Sequence, residues 1–124
     1  MLTISEVAEH FALKPDTVRR RIRSGDLPAV RLNRTFRADW PDVWACEEGP
    51  MPRGRGIERY QARLLTKKDL AARLRVSPRT LERWIGDGLP TRNVFGRVRI
   101  NPHDAGDWVR GRFGIDVDLD GHGR

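Results

Sequence analysis

Arg20 and Arg83 each stand three residues after a threonine, Thr17 and Thr80. A guanidinium is a planar fork of N–H donors, always charged, that grips a phosphate or a base edge two bonds at a time. A hydroxyl three residues away on a helix lies on the same side and adds a donor and an acceptor. Such a pair holds a polyanion; it carries no nucleophile and moves no proton. More arginine gathers nearby: Arg19, Arg21 and Arg23 in the first stretch, Arg79 in the second, and Arg34 and Arg97 further along.

Residues suited to catalysis are scattered by comparison. Cys46 is the only cysteine and has no histidine close in sequence, so it forms no intrachain disulfide and has no evident activating base. His10, His103 and His122 lack metal-ligand spacing. No glycine-rich phosphate loop and no paired acids suggestive of hydrolysis occur. Asp116, Asp118 and Asp120 alternate ahead of Gly121, but the glutamate that closes a calcium loop is missing. The expectation is a protein that is not an enzyme and uses no cofactor or metal.

The arginine–threonine pairs belong to a longer repeat. Leu2, Thr3, Ala8, Pro15, Thr17, Arg20, Ile22 and Gly25 recur 63 residues later as Leu65, Thr66, Ala71, Pro78, Thr80, Arg83, Ile85 and Gly88. After one deleted residue Leu27-Pro28 meets Leu89-Pro90, and Arg37 meets Arg99. Asp42 and Asp104 follow, ahead of Trp44 and Trp108. One small module is therefore used twice. The expected boundaries are 1–46 and 65–112, joined by a linker over 47–64 and followed by a disordered acidic tail over 113–124.

The formal charge is +7, which points to a polyanionic partner. Residues 1–46 hold 8 basic against 6 acidic side chains, and 65–112 hold 11 against 5. The second copy is the stronger magnet by this measure. No apolar run approaches the roughly 20 residues that span a bilayer, and no signal-peptide pattern is visible. A soluble cytoplasmic protein of bacterial or phage style is expected, with no membrane partner.

Local patterns supply the elements that must position the arginines. Thr3 with Glu6, and Thr66 with Asp69, have capping-box spacing. Val7, Ala8 and Phe11, like Leu70, Ala71 and Leu74, give a short amphipathic stripe. A tight turn at Leu13 and Val76 leads to a second helix. Ser77 caps it in copy two ahead of Pro78, whereas Lys14 stands at the cap in copy one, a weaker start by about 1 kcal/mol. Gly25 and Gly88 end these helices in the C′ manner. With Val18 and Ile22 facing inward, a helical wheel puts Arg20 outermost, Asp16, Thr17 and Arg23 beside it, and Arg19 and Arg21 on the shoulders. In copy two Arg83 is outermost, flanked by Arg79 and Thr80, while Trp84 packs. The better cap and higher charge rank Arg83 ahead of Arg20 as a base contact.

A hairpin then follows in each copy. Ala29–Leu32 and Phe36-Arg37 bracket Asn33-Arg34, and Arg92–Phe95 and Arg97–Ile100 bracket Gly96. A third short helix, from Pro41 to Trp44 and from Pro102 to Trp108, closes each module, with Trp40, Trp44 and Trp108 as core anchors. Gly49-Pro50, Pro52, Gly54 and Gly56 make the first half of the linker a flexible joint. Its second half, from Ile57, can extend the first helix of copy two. The fold class is mainly α with small β-hairpin wings, as two tandem winged helix-turn-helix domains.

Thr3, Glu6-Val7-Ala8, Pro15, Thr17-Val18, Arg20, Ile22, Gly25 and Leu27–Arg31 together resemble the excisionase-type winged helix-turn-helix of the MerR superfamily. Copy two is closer still through Leu65–Leu70, Val76-Ser77-Pro78 and Thr80–Ile85. Copy one departs at Lys14 and at Arg21, where copy two has Trp84. The resemblance implies a recognition helix in the major groove of DNA and a wing on the adjacent minor groove. It places Thr17, Arg20 and Arg34, and Thr80, Arg83 and Arg97, at the contacts; the wheel adds Arg19, Arg23 and Arg79.

Two functions stay open at this point. One is specific double-stranded DNA binding by both modules, as an excisionase-like recombination directionality factor or a transcription regulator, with self-association on DNA. The other pairs one DNA-binding module with one protein-interaction module that recruits a recombinase, RNA polymerase or other partner. The weaker charge of copy one makes it the candidate for the second role.

Overall fold

A computed structural model of the chain describes residues 1–119. The elements run β1 (Leu2–Thr3), α1 (Ile4–Phe11), α2 (Pro15–Arg23), β2 (Val30–Leu32), β3 (Thr35–Ala38), α3 (Trp40–Ala45) and β4 (Glu47–Glu48). A 3-10 helix over Ile57–Gln61 follows, then α4 (Lys67–Leu74), α5 (Pro78–Gly86), β5 (Arg92–Val94), β6 (Arg97–Arg99) and α6 (Pro102–Phe113). The order helix, helix, hairpin, helix occurs twice, and α4 and α5 start and stop 63 residues after α1 and α2.

Local chemistry accounts for the helix ends. Thr3 and Glu6 form a reciprocal capping box, with bonds of 2.9 and 3.1 Å, and Thr66 and Asp69 form a second. Each first helix stops on a left-handed residue, Ala12 at φ 54° and Arg75 at φ 55°, whose N–H satisfies carbonyls of the last turn. Pro15 and Pro78 open the second helices; Ser77 Oγ accepts from the Thr80 N–H at 3.1 Å, while Lys14 supplies no side-chain bond. Gly25 and Gly88, at φ 87° and 116°, take the chain out of the helix in a conformation that costs a side chain roughly 1 kcal/mol or more.

The hairpins differ in what covers them. In the first sheet the order is β1-β3-β2, so β2 is a free edge and all three of its residues are exposed. In the second sheet the order is β4-β5-β6: Glu47 and Glu48, just past the first copy, pair with Val94 and Asn93. The outer strand of the second hairpin is thereby covered. Its two-residue turn is Phe95-Gly96, both with positive φ (52° and 85°), so Phe95 belongs to the turn and not to the strand.

That turn points into the first copy. Phe95 lies edge-on to Phe11 with centroids 5.8 Å apart, and Val94 is fully buried in the first core with Val7, Phe11, Val18, Leu27 and Val43. Leu64 joins the same core and its N–H bonds the His10 carbonyl at 2.9 Å. A second cluster, around Leu65, Leu70, Leu81, Leu89, Ile100 and Ala105, lies beside it. Each core of this size is marginal alone, and sharing Leu64, Val94 and Phe95 ties the two copies into one body.

The second half of the linker is held in place. After β4, Pro52 is buried, and the 3-10 helix is fastened to α6 by Arg59–Asp107 at 2.6 Å and by the Tyr60 hydroxyl to Asp104 at 3.0 Å. It does not continue into α4. Ala62 is extended because Leu64 must enter the first core while Leu65 pairs with Ile100. The tail also departs from expectation over 113–119. Gly114, at φ 71°, reverses the chain, Val117 packs on the second core, and Leu119 is buried there and accepts from Arg73 at 2.9 Å. Alternating apolar residues give this stretch something to bury. Asp116 pairs with Arg110 at 2.6 Å; Asp120 and Gly121 lie outside the described residues.

Candidate nucleic-acid interface

The tip of α1, one side of α2 and the first hairpin enclose an open cleft of about 470 Å³. Five arginines line it: Arg19 and Arg23 from α2, Arg31 from β2, Arg34 from the turn and Arg37 from β3. Thr3 and Ser5 add hydroxyls at the start of α1. The free edge of β2 and the two-residue turn, with Asn33 at φ 57°, hold Arg31 and Arg34 opposite α2. Arg19 is also bound to Asp16 at 2.6 Å, an exposed pair of little net stability that leaves donors available. Arg37 donates to Thr35 Oγ1 at 2.7 Å and to the Phe36 carbonyl at 2.9 Å, which fixes its direction. Among the described residues no carboxylate lines the cleft. A concave surface of this composition suits the phosphate backbone of a nucleic acid.

Of the residues singled out from sequence, Arg19, Arg20, Arg23 and Arg34 are exposed on the first copy, and Arg19, Arg23 and Arg34 share the cleft. Arg20 stands outside it on the open face of α2. Thr17 does not: it is 8% exposed, packed beside Val18, with its hydroxyl 3.4 Å from Arg20. The wheel set burial from Val18 and Ile22 alone, whereas the face of α2 packed on α1 is wide enough to include Thr17. Arg31 and Arg37 were not identified from sequence. Their strands alternate, and nothing local says which side of a two-stranded ribbon faces α2.

In the second copy Arg79, Arg83 and Arg97 are exposed, and Thr80 is half-buried and bonded to Ser77. The cleft itself has no counterpart in charge. In the repeat register Arg19 becomes Glu82, Arg23 becomes Gly86, Arg31 becomes Asn93, and Arg34 becomes Gly96. Arg37 becomes Arg99, which is turned inward and donates to the carbonyls of Phe11 at 2.8 Å and Ala12 at 3.0 Å. Several basic residues of this copy also stand in exposed pairs: Arg110 with Asp116, Arg112 with Asp87 and Lys67 with Glu82.

A buried polar chain sits where the copies meet. Glu47 Oε2 and His10 Nε2 share a hydrogen bond of 2.7 Å, and Glu47 Oε1 stands 2.7 Å from Arg92 Nε as an ion pair without in-line hydrogen-bond geometry. Arg92 also donates to the Pro50 carbonyl at 2.7 Å and lies over the Tyr60 ring at 5.5 Å. All three side chains are at most 3% exposed, so no solvent or ligand reaches them. Their role is to join three segments. Sequence patterns gave no sign of it, because His10 and Arg92 are far apart in the chain and lie in different copies.

Cys46 is equally unsuited to chemistry. Its thiol points at the Asp26 and Asp42 carbonyls, 3.5 and 3.4 Å away. Burial, with Glu47, Asp26 and Asp42 adding negative charge, pushes its pKa up to about 11. Among the described residues no group of three His, Cys, Asp or Glu could hold a metal ion, and no helix is long and apolar enough to cross a membrane.

A family model described as a helix-turn-helix domain matches residues 1–39, the stretch from β1 through β3 that builds the arginine cleft. Comparison with curated proteins and with solved structures returns no match. The matched stretch suggests DNA as the partner.

Proposed function

We propose that the chain is a non-catalytic, sequence-specific binder of double-stranded DNA whose reading head is the first copy. The observation that carries this is the cleft of five arginines between α2 and the first hairpin. Arg31, Arg34 and Arg37 hold phosphates on one side of the groove and Arg19 and Arg23 on the other, while Arg20 reaches a base edge from the open face of α2. Phosphate contacts set register and base contacts set sequence. The second copy orients this head, and Arg79, Arg83 and Arg97 lend additional backbone contacts; it is not a second independent reader.

This assigns the DNA-binding role to copy one and leaves copy two for another task, the reverse of the ranking by charge. A rigid binder of one short site fits an excisionase-like recombination factor or a transcription regulator, with a recombinase or RNA polymerase as partner. Footprinting on the DNA around its own coding sequence identifies the site. Affinity for that site is then measured for a paired Arg31→Ala, Arg37→Ala variant and a paired Arg79→Ala, Arg97→Ala variant. The first pair is expected to lower the slope of log K against log salt by about 1.8, at about 0.9 per contact, and the second pair by less. Equal or larger losses from the second pair would return the reading role to both copies.

A further inference from the structure

Beside the place where the first copy has its cleft, the second has an apolar groove. It lies between α4 and the start of α5, with a volume of about 490 Å³, floored by Ala71, Ala72, Val76, Pro78 and Leu81. Lys67, Lys68 and Glu82 form its rim, and Lys67 already neutralises Glu82 at 2.7 Å. Lys68 is exposed and has no carboxylate partner among the described residues. The groove is therefore apolar at its centre and cationic at its edge.

The repeat shows how each position differs from the DNA-reading copy. Where the second copy has Lys67, Lys68 and Ala72, the first has Ile4, Ser5 and Glu9, and where it has Glu82 the first has Arg19. Removing the acid at position 72 opens the floor, and two lysines at the mouth supply positive charge. A surface meant for DNA would keep Arg19 and would not place a carboxylate in its stead.

We infer that this groove docks an acidic amphipathic helix of a partner protein, with its apolar stripe on Ala71, Ala72 and Val76 and its carboxylates on Lys68. Grooves of this size take a few apolar anchors at i, i+3, i+4 and i+7, with the rim charges choosing the partner. Because the groove does not share residues with the arginine cleft, the two surfaces are usable at once, and the chain couples a DNA site to a protein.

The test uses the full chain and a labelled helical peptide with leucines at i, i+3, i+4 and i+7 and glutamates between them, followed by fluorescence anisotropy. Two controls carry lysine in place of glutamate and the same residues in scrambled order. The glutamate peptide is expected to bind at least about tenfold tighter than either control. Ala72→Glu, which restores the residue of the first copy on an exposed helix position, and Lys68→Glu are each expected to weaken it by about tenfold or more at unchanged melting temperature. DNA affinity of both variants should stay within about twofold, since neither residue touches the cleft. Equal binding of all three peptides, or indifference to Ala72→Glu, overturns the inference. So does a dimer in sedimentation that Ala72→Glu abolishes, which would give the groove to a second copy. An equal loss of DNA binding would instead place the groove on the path of DNA.

Discussion

Arg37 and Arg99 hold the same place in the repeat and face opposite ways. Arg37 lines the open cleft of the first copy, while Arg99 reaches across the junction to the Phe11 and Ala12 carbonyls at 2.8 and 3.0 Å. Those carbonyls belong to the end of α1, where the helix itself provides no donors. Burial, and next the charge of Arg97, lowers the Arg99 pKa from the usual arginine value, and its bonds to the backbone are what offset that burial. The same residue type lines an open cleft in one copy and caps a helix in the other.

Arg99→Ala is therefore expected to destabilise the whole chain, not the second hairpin alone. Stranding a buried acceptor costs roughly 1–3 kcal/mol, and two are at stake. Arg99→Lys should recover only part of the loss, because an ammonium lacks the fork that serves two carbonyls at once. Urea unfolding followed by tryptophan fluorescence measures both; a loss below about 0.5 kcal/mol for the alanine variant would mean that water replaces the guanidinium without penalty.

The same junction sets the outcome of cutting the chain within Arg53–Gly56. The first core takes Leu64, Val94 and Phe95 from beyond the cut, and Glu47 pairs with Arg92 across it. Neither piece is expected to fold cooperatively alone, and mixing the two should restore helical circular dichroism. Two separate, independent melting transitions would show that each copy closes its core unaided.

Much of the single copy was legible in the sequence because its determinants are local. Thr3 with Glu6, Ser77 ahead of Pro78, and Gly25 and Gly88 each act within a few residues of where they stand. The junction was not legible, because a repeat compares each copy with itself and is silent on how the copies meet. Arg99 and Phe11 are 88 positions apart, and no periodicity links them. Net charge has a related limit: a count of arginines does not separate Arg31, facing the cleft, from Arg92, buried on Glu47. The tail carried a signal that composition masked, since Val117 and Leu119 alternate with aspartates.

Cys46 is expected to resist thiol reagents. With its pKa near 11, the thiolate is only about one part in a thousand at pH 8, and partial burial slows access further. Labelling by iodoacetamide should become fast only on unfolding. The linkage has a definite sign: the folded pKa is raised, so this stabilising term is present below pH 9 and is lost as pH rises from 9 through 11. Rapid labelling of the native chain at pH 8 would show that the thiol opens to solvent.

The geometry of the DNA site follows from the rigidity of the junction. Arg20→Ala should weaken specific binding by roughly 1–3 kcal/mol, the value of one good base contact, and Arg83→Ala by less. The order is opposite to the one that cap strength and net charge suggest, because Arg83 follows Glu82 in the chain where Arg20 follows Arg19. Spacing makes the sharper test. Two tethered readers would tolerate an insertion of about 10 base pairs between half-sites, which restores the face of the duplex, and would suffer from 5. One body with a single cleft has no half-sites to re-phase. Inserting 5 or 10 base pairs at the centre of the footprint should lower affinity to the same degree, down to that of random DNA. Recovery with the 10-base-pair insertion would mean that the copies separate on DNA, with Phe95 drawn away from Phe11.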